Sequence, residues 1–574
     1  MQAASEGRSS SEQGQQTETS LSVPVVLKLL GARWIAPVVL LAFSLLLFLP
    51  GINQVPPLDR DEPRFTQASK QMMETGDYVS IRFQDQARNK KPVGIHWLQV
   101  GVAKVLGFGA EAPLWVYRLP SVAGGALAVL FTYWLALAFM SSPAAFTAGL
   151  LTASSIILNA ESHIAKTDAT LLAFTVLSMG ALARLWLRPV EQASLWLKLL
   201  FWAALAGGVL IKGPIIVLVV GLTVVALSVF DRSLIPLKKL WNLYGLVLFL
   251  VLVLPWFIAI FIATDGAFYK QALGGDFLAK VGTGKEGHGA PPFTHFLVAF
   301  VIFWPLNVYV IRYAKAFLKL RASPFLLFAI CWAVPTWIVF ELVSTKLPHY
   351  TMPVMPALSL AVAGVMFDPL ALQGERGKVL RAWSAAWAPL ISLVLLLGAI
   401  IVPIVLGDWP SPPGVVLVFF GFLLSLYAGS QIIKGRILHS VIPLCLSALV
   451  VTSSIWVYVF SSMSPLWISS RLVEVIHSQS GCQSAQVVSV GFSEPSFVFL
   501  MGTRTKLGNA EQAADFLSHA PAGECRVAVV ERRHIGAFDA ALARDGVALK
   551  QFATASGINL NGGRNLEFGL FKND

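Results

Sequence analysis

Charge is what this chain has least of: Asp, Glu, Lys and Arg make up 13% of its 574 residues, against 56% hydrophobic ones. A soluble body of that size needs more polar surface, and one soluble core needs far less apolar material, so a bilayer must take up the excess. Cysteine is scarce too. Of four, Cys331 and Cys445 lie inside apolar runs, and Cys482 and Cys525 fall in a polar tail. A disulfide between the last two is expected if that tail faces an oxidising compartment. A cleavable signal peptide is also missing from the pattern: Met1 to Ser22 is rich in Ser, Gln and Glu, and the first apolar run ends at Pro50 without a small-residue cleavage site. Residues 1–33 read as a disordered cytoplasmic N-terminus, and Trp34 to Pro50 as a signal anchor.

What is present in quantity is long apolar runs. A helix of about 17 to 25 apolar residues crosses roughly 30 Å of hydrocarbon, and on that length the chain is expected to cross about thirteen times. The approximate cores are Trp34 to Leu49, Leu119 to Met140, Ala144 to Leu158, Ala169 to Leu187, Leu195 to Ile211, Ile215 to Phe230 and Leu243 to Ala263. Phe293 to Val310, Pro324 to Val343, Met352 to Phe367, Trp383 to Leu406, Val415 to Ile433 and Leu438 to Phe460 follow. The net charge of +12 fits this reading without any nucleic-acid partner. With the N-terminus cytoplasmic, Lys28 and Arg33, Lys238 and Lys239, Lys315 and Lys319, and Lys434 and Arg436 all fall in inner loops. An odd number of crossings then places everything after Phe460 outside.

Two segments lie off the membrane: the outer loop 51–113 and the tail 461–574, with the membrane domain over 34–460. In the loop, Pro63 to Thr75 carries a helix signal, with Gly76 as its stop and Phe65, Ala68 and Met72 on one face suited to the membrane surface. The tail reads as a small α/β domain: strands Gln486 to Val490, Ser496 to Leu500 and Arg526 to Val530, helices Ala510 to His519 and Ile535 to Asp545, and strand signals in Leu549 to Phe552 and Glu567 to Phe571. It has no Gly-rich phosphate loop and no metal-ligand spacing.

The unusual polar residues sort to the outer face. Asp59, Asp61, Glu62 and Arg64, Lys90 and Lys91, Lys166 and Asp168, Lys212, His288, and Lys346 with His349 all sit in outer loops or at outer helix ends. Any one of them is ordinarily a cap or a snorkelling side chain. As a set confined to one side they indicate a single site, because caps belong on both faces and snorkelling lysines favour the inside. Asp61 stands just before a helix start, whose positive end keeps a carboxylate ionised and able to serve as a base toward a hydroxyl. Asp59 and Asp61 also form a D-x-D, but nucleotide sugars are cytosolic and this loop is not. Lysines at helix breaks, Lys91-Pro92, Lys212-Gly213-Pro214 and Lys346-Leu347-Pro348, suit a phosphate as point charges.

The series D-E-P-R-F at Asp61, K-P at Lys91, K-T-D at Lys166, K-G-P at Lys212, G-H-x-x-P at Gly287 and T-K-L-P-H-Y at Thr345 resembles bacterial GT-C glycosyltransferases related to aminoarabinose transferase and to protein O-mannosyltransferases. The resemblance covers Trp34 to Phe367 in motifs. It implies a multi-helix GT-C fold moving a hexosyl or pentosyl group from a polyprenyl-phosphate carrier to an envelope acceptor on the periplasmic face of the inner membrane. It further implies Asp61 and Asp168 as catalytic carboxylates and Arg64, Lys91 and Tyr350 at the donor phosphate; from its place at a helix break Lys346 is expected at the same phosphate, and Glu62, Lys212 and His288 are candidate substrate contacts. The sequence departs from that pattern at Phe65, often Tyr in the aminoarabinose enzymes, and at Lys90, commonly Glu. Losing that Glu weakens the case for a divalent metal, so no cofactor is assigned; it also makes the pocket more basic, suiting an acidic sugar or a second phosphate.

The expected reaction is an inverting displacement needing no nucleotide. Lipid A or lipopolysaccharide, another polyprenyl-linked glycan and a protein hydroxyl are all open as acceptors. A transporter of lipids or anions is the alternative from another class; it calls for charges near the bilayer midplane and inverted halves, and the sequence shows neither. A receptor with a ligand-binding tail is the third.

Overall fold

The computed structural model describes residues 23–58, 61–272, 290–372, 377–521, 523–560 and 562–573. Backbone polar groups in hydrocarbon must be satisfied within their own segment, and every run expected to cross is helical. Among the described residues nine helices are long and apolar enough to span a membrane, from Leu114–Ala136 to Ile437–Phe460. Ala36–Phe48 and Ile215–Phe230 are apolar but shorter. The chain is thus a mainly α, polytopic membrane protein.

Two runs expected as single straight spans are not. Ala144 to Leu158 is divided between Ser142–Ala153 and Ile156–Ser162, which bend by 62°, and Phe293 to Val310 between Thr294–Ile302 and Leu306–Lys319, which bend by 117°. At the second break Pro305 follows Trp304 and has no N–H to continue the helix ladder.

The outer-loop helix runs Asp61–Thr75. Phe65, Ala68 and Met72 share a face as expected, but that face does not lie on the membrane surface: all three are at most 3% exposed. Ala68 and Met72 pack in a cluster with Val93, Val100, Trp256 and Phe268. The opposite face is covered as well, burying Gln67 and Gln71. A two-residue-per-strand hairpin follows, β1 Arg82–Phe83 and β2 Gln86–Ala87, turning through Gln84 at φ 53°.

The tail forms a five-stranded mixed sheet from β3 Gln486–Val490, β4 Lys506–Gly508, β5 Arg526–Glu531, β6 Gln551–Asn559 and β7 Arg564–Lys572. Their order is β4-β3-β5-β7-β6, with β3 parallel to β4 and β5 and β7 antiparallel to β5 and β6. Alternate residues of β3 and β5 point to opposite faces, Val487, Val527 and Val529 into one core and Val488, Ala528 and Val530 into the other. Ser496 to Leu500, expected as a strand, lies in the helix Pro495–Met501. A short apolar run has no periodicity that separates buried helix from strand, and here Pro495 at the first helical position decides. Cys482 and Cys525 are disulfide-bonded, their Cα atoms 6.0 Å apart.

This domain is docked on the loop 51–113 and on the start of the helix Leu114–Ala136. Phe499 meets Tyr117 edge to face with ring centroids 5.8 Å apart. Gln67 donates to the Thr503 hydroxyl at 2.7 Å, Thr503 donates to Glu74 at 2.8 Å, and Gln84 donates to the Thr505 carbonyl at 2.5 Å.

Candidate active site

The first two acids of the outer-loop helix have opposite surroundings. Glu62 is 0% exposed and accepts both prongs of the Arg118 guanidinium at 2.8 Å. Its oxygens also accept the backbone N–H of Leu58 at 2.6 Å and of Ala165 at 2.8 Å. The remaining Arg118 protons go to the carbonyls of Ile52, Val55 and Pro56. One buried ion pair therefore joins the end of the first apolar helix, the loop helix, the span Leu114–Ala136 and the Lys166 segment. Charge-assisted forks of this kind fix geometry as well as register. Glu62, expected as a substrate contact, is occupied in this structural task.

Asp61, one residue earlier, has a side chain 53% exposed and a single carboxylate–cation contact to Arg88 at 3.4 Å. Enclosure by the surrounding chain pushes its carboxyl up, but Arg88, Lys166, Lys91 and Arg64 together outweigh this and hold it below the usual carboxylate value. Position at a helix N-terminus acts in the same direction. Asp61 is an accessible, ionised carboxylate in a cationic field.

Asp168 begins the span Asp168–Leu187 and forms an ion pair with Lys212, the last residue of the helix Leu195–Lys212. His349 lies within 3.9 Å of Asp168 and 3.6 Å of Glu161, and Lys166 within 3.7 Å of Glu161. The approach of Lys91 to this group depends on Gly94: a Cβ there would lie 2.7 Å from the Leu210 carbonyl oxygen, so only glycine lets the Lys91-Pro92 segment close on the end of the Lys212 helix. Gly213, at φ 70°, then terminates that helix. Lys91 is within electrostatic reach of both Asp61 and His349, which links the two carboxylate centres.

Two cavities adjoin this site: one of about 1,230 Å³ on the tail side, lined by Arg64, Arg88 and Lys90 among others, and one of about 760 Å³ on the membrane side. The membrane-side cavity has a mouth of Lys90, Lys91, Asp168, Lys212, His349 and Tyr350, and walls that include Leu171, Val209, Phe249, Phe257 and Phe340. Val217 and Leu342, also on its wall, are 43% and 78% exposed on the helical surface, so the cavity reaches the bundle's lipid-facing side. Cations around an apolar chamber that opens to lipid can hold a phosphate whose tail is hydrocarbon.

Of the residues singled out from sequence, Lys90, Lys91, Asp168, Lys212, His349 and Tyr350 line this chamber, Asp61 lies within electrostatic reach of Lys91, and Arg64 lines the tail-side cavity. Lys346 does not line the chamber: its ammonium bonds back to the carbonyls of Glu341 at 2.5 Å and Val343 at 2.8 Å, closing the end of its own helix, and lies 3.7 Å from the Glu341 carboxylate. His288 and Asp59 lie outside the described residues. Sequence reasoning assigned no role to Arg88, Glu161 or Arg118. Arg88 sits among hairpin charges that look like ordinary turn polarity. Glu161 and Arg118 did carry a signal, since each interrupts an apolar stretch. Among the described residues no group of three or more His, Cys, Asp or Glu side chains is placed to hold a metal ion.

Comparison with known proteins agrees with this architecture. Residues 90–258 match the family model described as dolichyl-phosphate-mannose-protein mannosyltransferase. The chain is 24% identical over 366 residues to the undecaprenyl phosphate-alpha-4-amino-4-deoxy-L-arabinose arabinosyl transferase of Aeromonas hydrophila, covering 63% of this chain and 65% of the relative. Against the second such transferase of Pseudomonas fluorescens it is 26% identical over 361 residues, 60% of this chain and 59% of the relative. The chain thus spans a little under two thirds of the length of these curated relatives. In structure it superposes on ArnT from Cupriavidus metallidurans bound to undecaprenyl phosphate with a TM-score of 0.72 at 18% identity, over 94% of this chain and 98% of the other, and on its apo form with 0.70. By sequence the chain resembles the aminoarabinose transferases and the protein mannosyltransferases, and its fold is the GT-C membrane architecture of ArnT.

Proposed function

We propose that this chain is a glycosyltransferase that moves a sugar from a polyprenyl-phosphate carrier to an envelope acceptor on the periplasmic face of the bacterial inner membrane. The observation that carries this reading is the apolar, lipid-facing cavity whose mouth holds Lys91, Lys212 and Asp168, with the accessible carboxylate of Asp61 in electrostatic reach of Lys91. The prenyl chain occupies the apolar chamber. Lys91 and Lys212, with Arg64, neutralise the phosphate as it leaves. Lys212, paired with Asp168, takes the place expected for Lys346. Tyr350 packs beside Lys212, whose ammonium is 5.9 Å from its ring centre.

In the reaction the acceptor hydroxyl oxygen attacks the anomeric carbon from the face opposite the phosphate. The carbon–oxygen bond to phosphate breaks, its electron pair stays on the phosphate oxygen, and the hydroxyl proton passes to Asp61. The anomeric configuration inverts. An outer face for the disulfide-bonded tail, and a cytoplasmic N-terminus, accord with an oxidising compartment around Cys482 and Cys525.

Lipid A or another envelope glycan is the acceptor favoured by the likeness to the arabinosyl transferases; a protein hydroxyl is the second reading, favoured by the match over residues 90–258. Mass spectrometry of envelope lipids, glycans and proteins from cells with and without the gene separates them by where one sugar mass disappears. Transfer by purified protein carrying Asp61→Asn or Lys91→Ala tests the mechanism; near-normal turnover in both defeats it.

A further inference from the structure

The second, larger cavity lies between the loop 51–113 and the tail domain, and of its lining the mechanism above uses only Arg64. Its volume of about 1,230 Å³ exceeds the roughly 300–1,000 Å³ of ordinary small-molecule sites, so it takes a ligand larger than one sugar ring. Arg64, Arg88 and Lys90 enter it from the loop, and Arg504, Lys506 and Arg526 from the tail; the carboxylates facing them are Asp85 and Asp515. Arg88 is engaged with Asp61 and Arg526 with Glu524. Arg64, Arg504 and Lys506 have no carboxylate at salt-bridge distance among the described residues.

The remaining lining is suited to hydroxyl-rich matter. Side-chain amides of Gln84, Gln86, Asn89 and Gln512 supply paired donors and acceptors, and Phe83 supplies an apolar face, while the buried Phe516 ring seats Lys506 and Arg526, each 4.6 Å from its centre. The two walls are held in fixed relation by the bonds from Gln84 to the carbonyls of Thr503 at 3.2 Å and Thr505 at 2.5 Å. The cleft is therefore built rather than incidental. It also adjoins the reaction site: Lys90 borders both cavities, and Arg64 and Arg88 act on Asp61 from the cleft side.

We propose that this cleft binds the acceptor through an anionic saccharide bearing phosphate or carboxylate groups, with Arg504 and Lys506 of the tail domain selecting for its charge. The proposal rests on the glycosyltransferase reading, since it is the acceptor that must approach Asp61 from the side opposite the carrier.

The test uses the full chain in lipid nanodiscs and a matched pair of probes, a phosphorylated mannopentaose and neutral mannopentaose, titrated calorimetrically at low and high salt. Arg504 and Lys506 are exposed and outside the reaction machinery, so Arg504→Glu/Lys506→Glu is expected to leave carrier binding intact, and its melting temperature checks the fold, with Arg504→Gln/Lys506→Gln as the milder pair. The phosphorylated probe is expected to bind the wild type about tenfold or more tighter than the neutral one, to lose that margin at high salt, and to lose about tenfold in the double variant. Equal binding of the two probes, or unchanged binding by the double variant, overturns the proposal. Polyprenyl phosphate titrated into the same samples and into Lys91→Ala/Lys212→Ala reports separately on the carrier site, so failure of the underlying reading is seen there and failure of the cleft only in the saccharide titration.

Discussion

Glu62 and Arg118 meet prong to prong, 56 positions apart in sequence, with both contacts at 2.8 Å and neither side chain more than 1% exposed. Removing one partner strands the other charge without water. Glu62→Ala and Arg118→Ala are each expected to cost about 3–5 kcal/mol, with Glu62→Leu/Arg118→Met recovering part of the loss. Thermal unfolding in detergent checks this; a single variant that melts like the wild type removes the pair from its structural role.

Asp61 behaves differently because its partners are cations across an open space. A carboxyl whose folded pKa lies below the ordinary 3.8 is ionised throughout the neutral and mildly acidic range; the stability it adds is present above 3.8 and lost as pH falls through its folded value. Asp61→Asn should lower turnover about hundredfold or more. Arg88→Gln removes the foremost of the lowering charges and should move the acid limb of the kcat/KM profile upward. An unmoved limb in Arg88→Gln dissociates Asp61 from it.

The pair Asp168–Lys212 sits at the mouth of an apolar chamber, where a lone charge is costly. Asp168→Asn and Lys212→Gln singly should weaken carrier-phosphate binding and lower stability, while the double variant should regain stability but not binding. A double-mutant cycle read by melting and by polyprenyl-phosphate titration separates the two effects.

His96 lies 1% exposed on the helix Gly94–Val105, its Nδ1 2.9 Å from the Ser69 hydroxyl. Burial, with a smaller push from Arg88, lowers its pKa from 6.5 to about 3. The histidine is thus neutral in the folded loop. Its contribution is complete above 6.5 and falls away between 6.5 and about 3, by about 1.4 kcal/mol per pH unit, because only the unfolded chain takes up the proton. Melting temperatures measured across mildly acidic pH should fall more steeply in the wild type than in His96→Gln; parallel curves would refute the assignment.

Much of this protein is legible in the chain itself. Apolar run length specifies spanning helices, since a bilayer leaves the backbone no other partner. The order and common side of D-E-P-R, K-P, K-T-D and K-G-P pointed to one outer site, and Asp61, Lys91, Asp168 and Lys212 do converge. Adjacent Asp61 and Glu62, by contrast, are equivalent as letters. Only folding, by bringing Arg118 and Ala165 onto Glu62 and leaving Asp61 open, separates a structural acid from a chemical one. The same holds for Lys346, which turns back on its own helix end while Lys212 faces the chamber, and for the cleft, whose walls come from residues more than four hundred positions apart. Local pattern sets what each segment can become; the partners of a polar group are set by long-range contacts that no local pattern encodes.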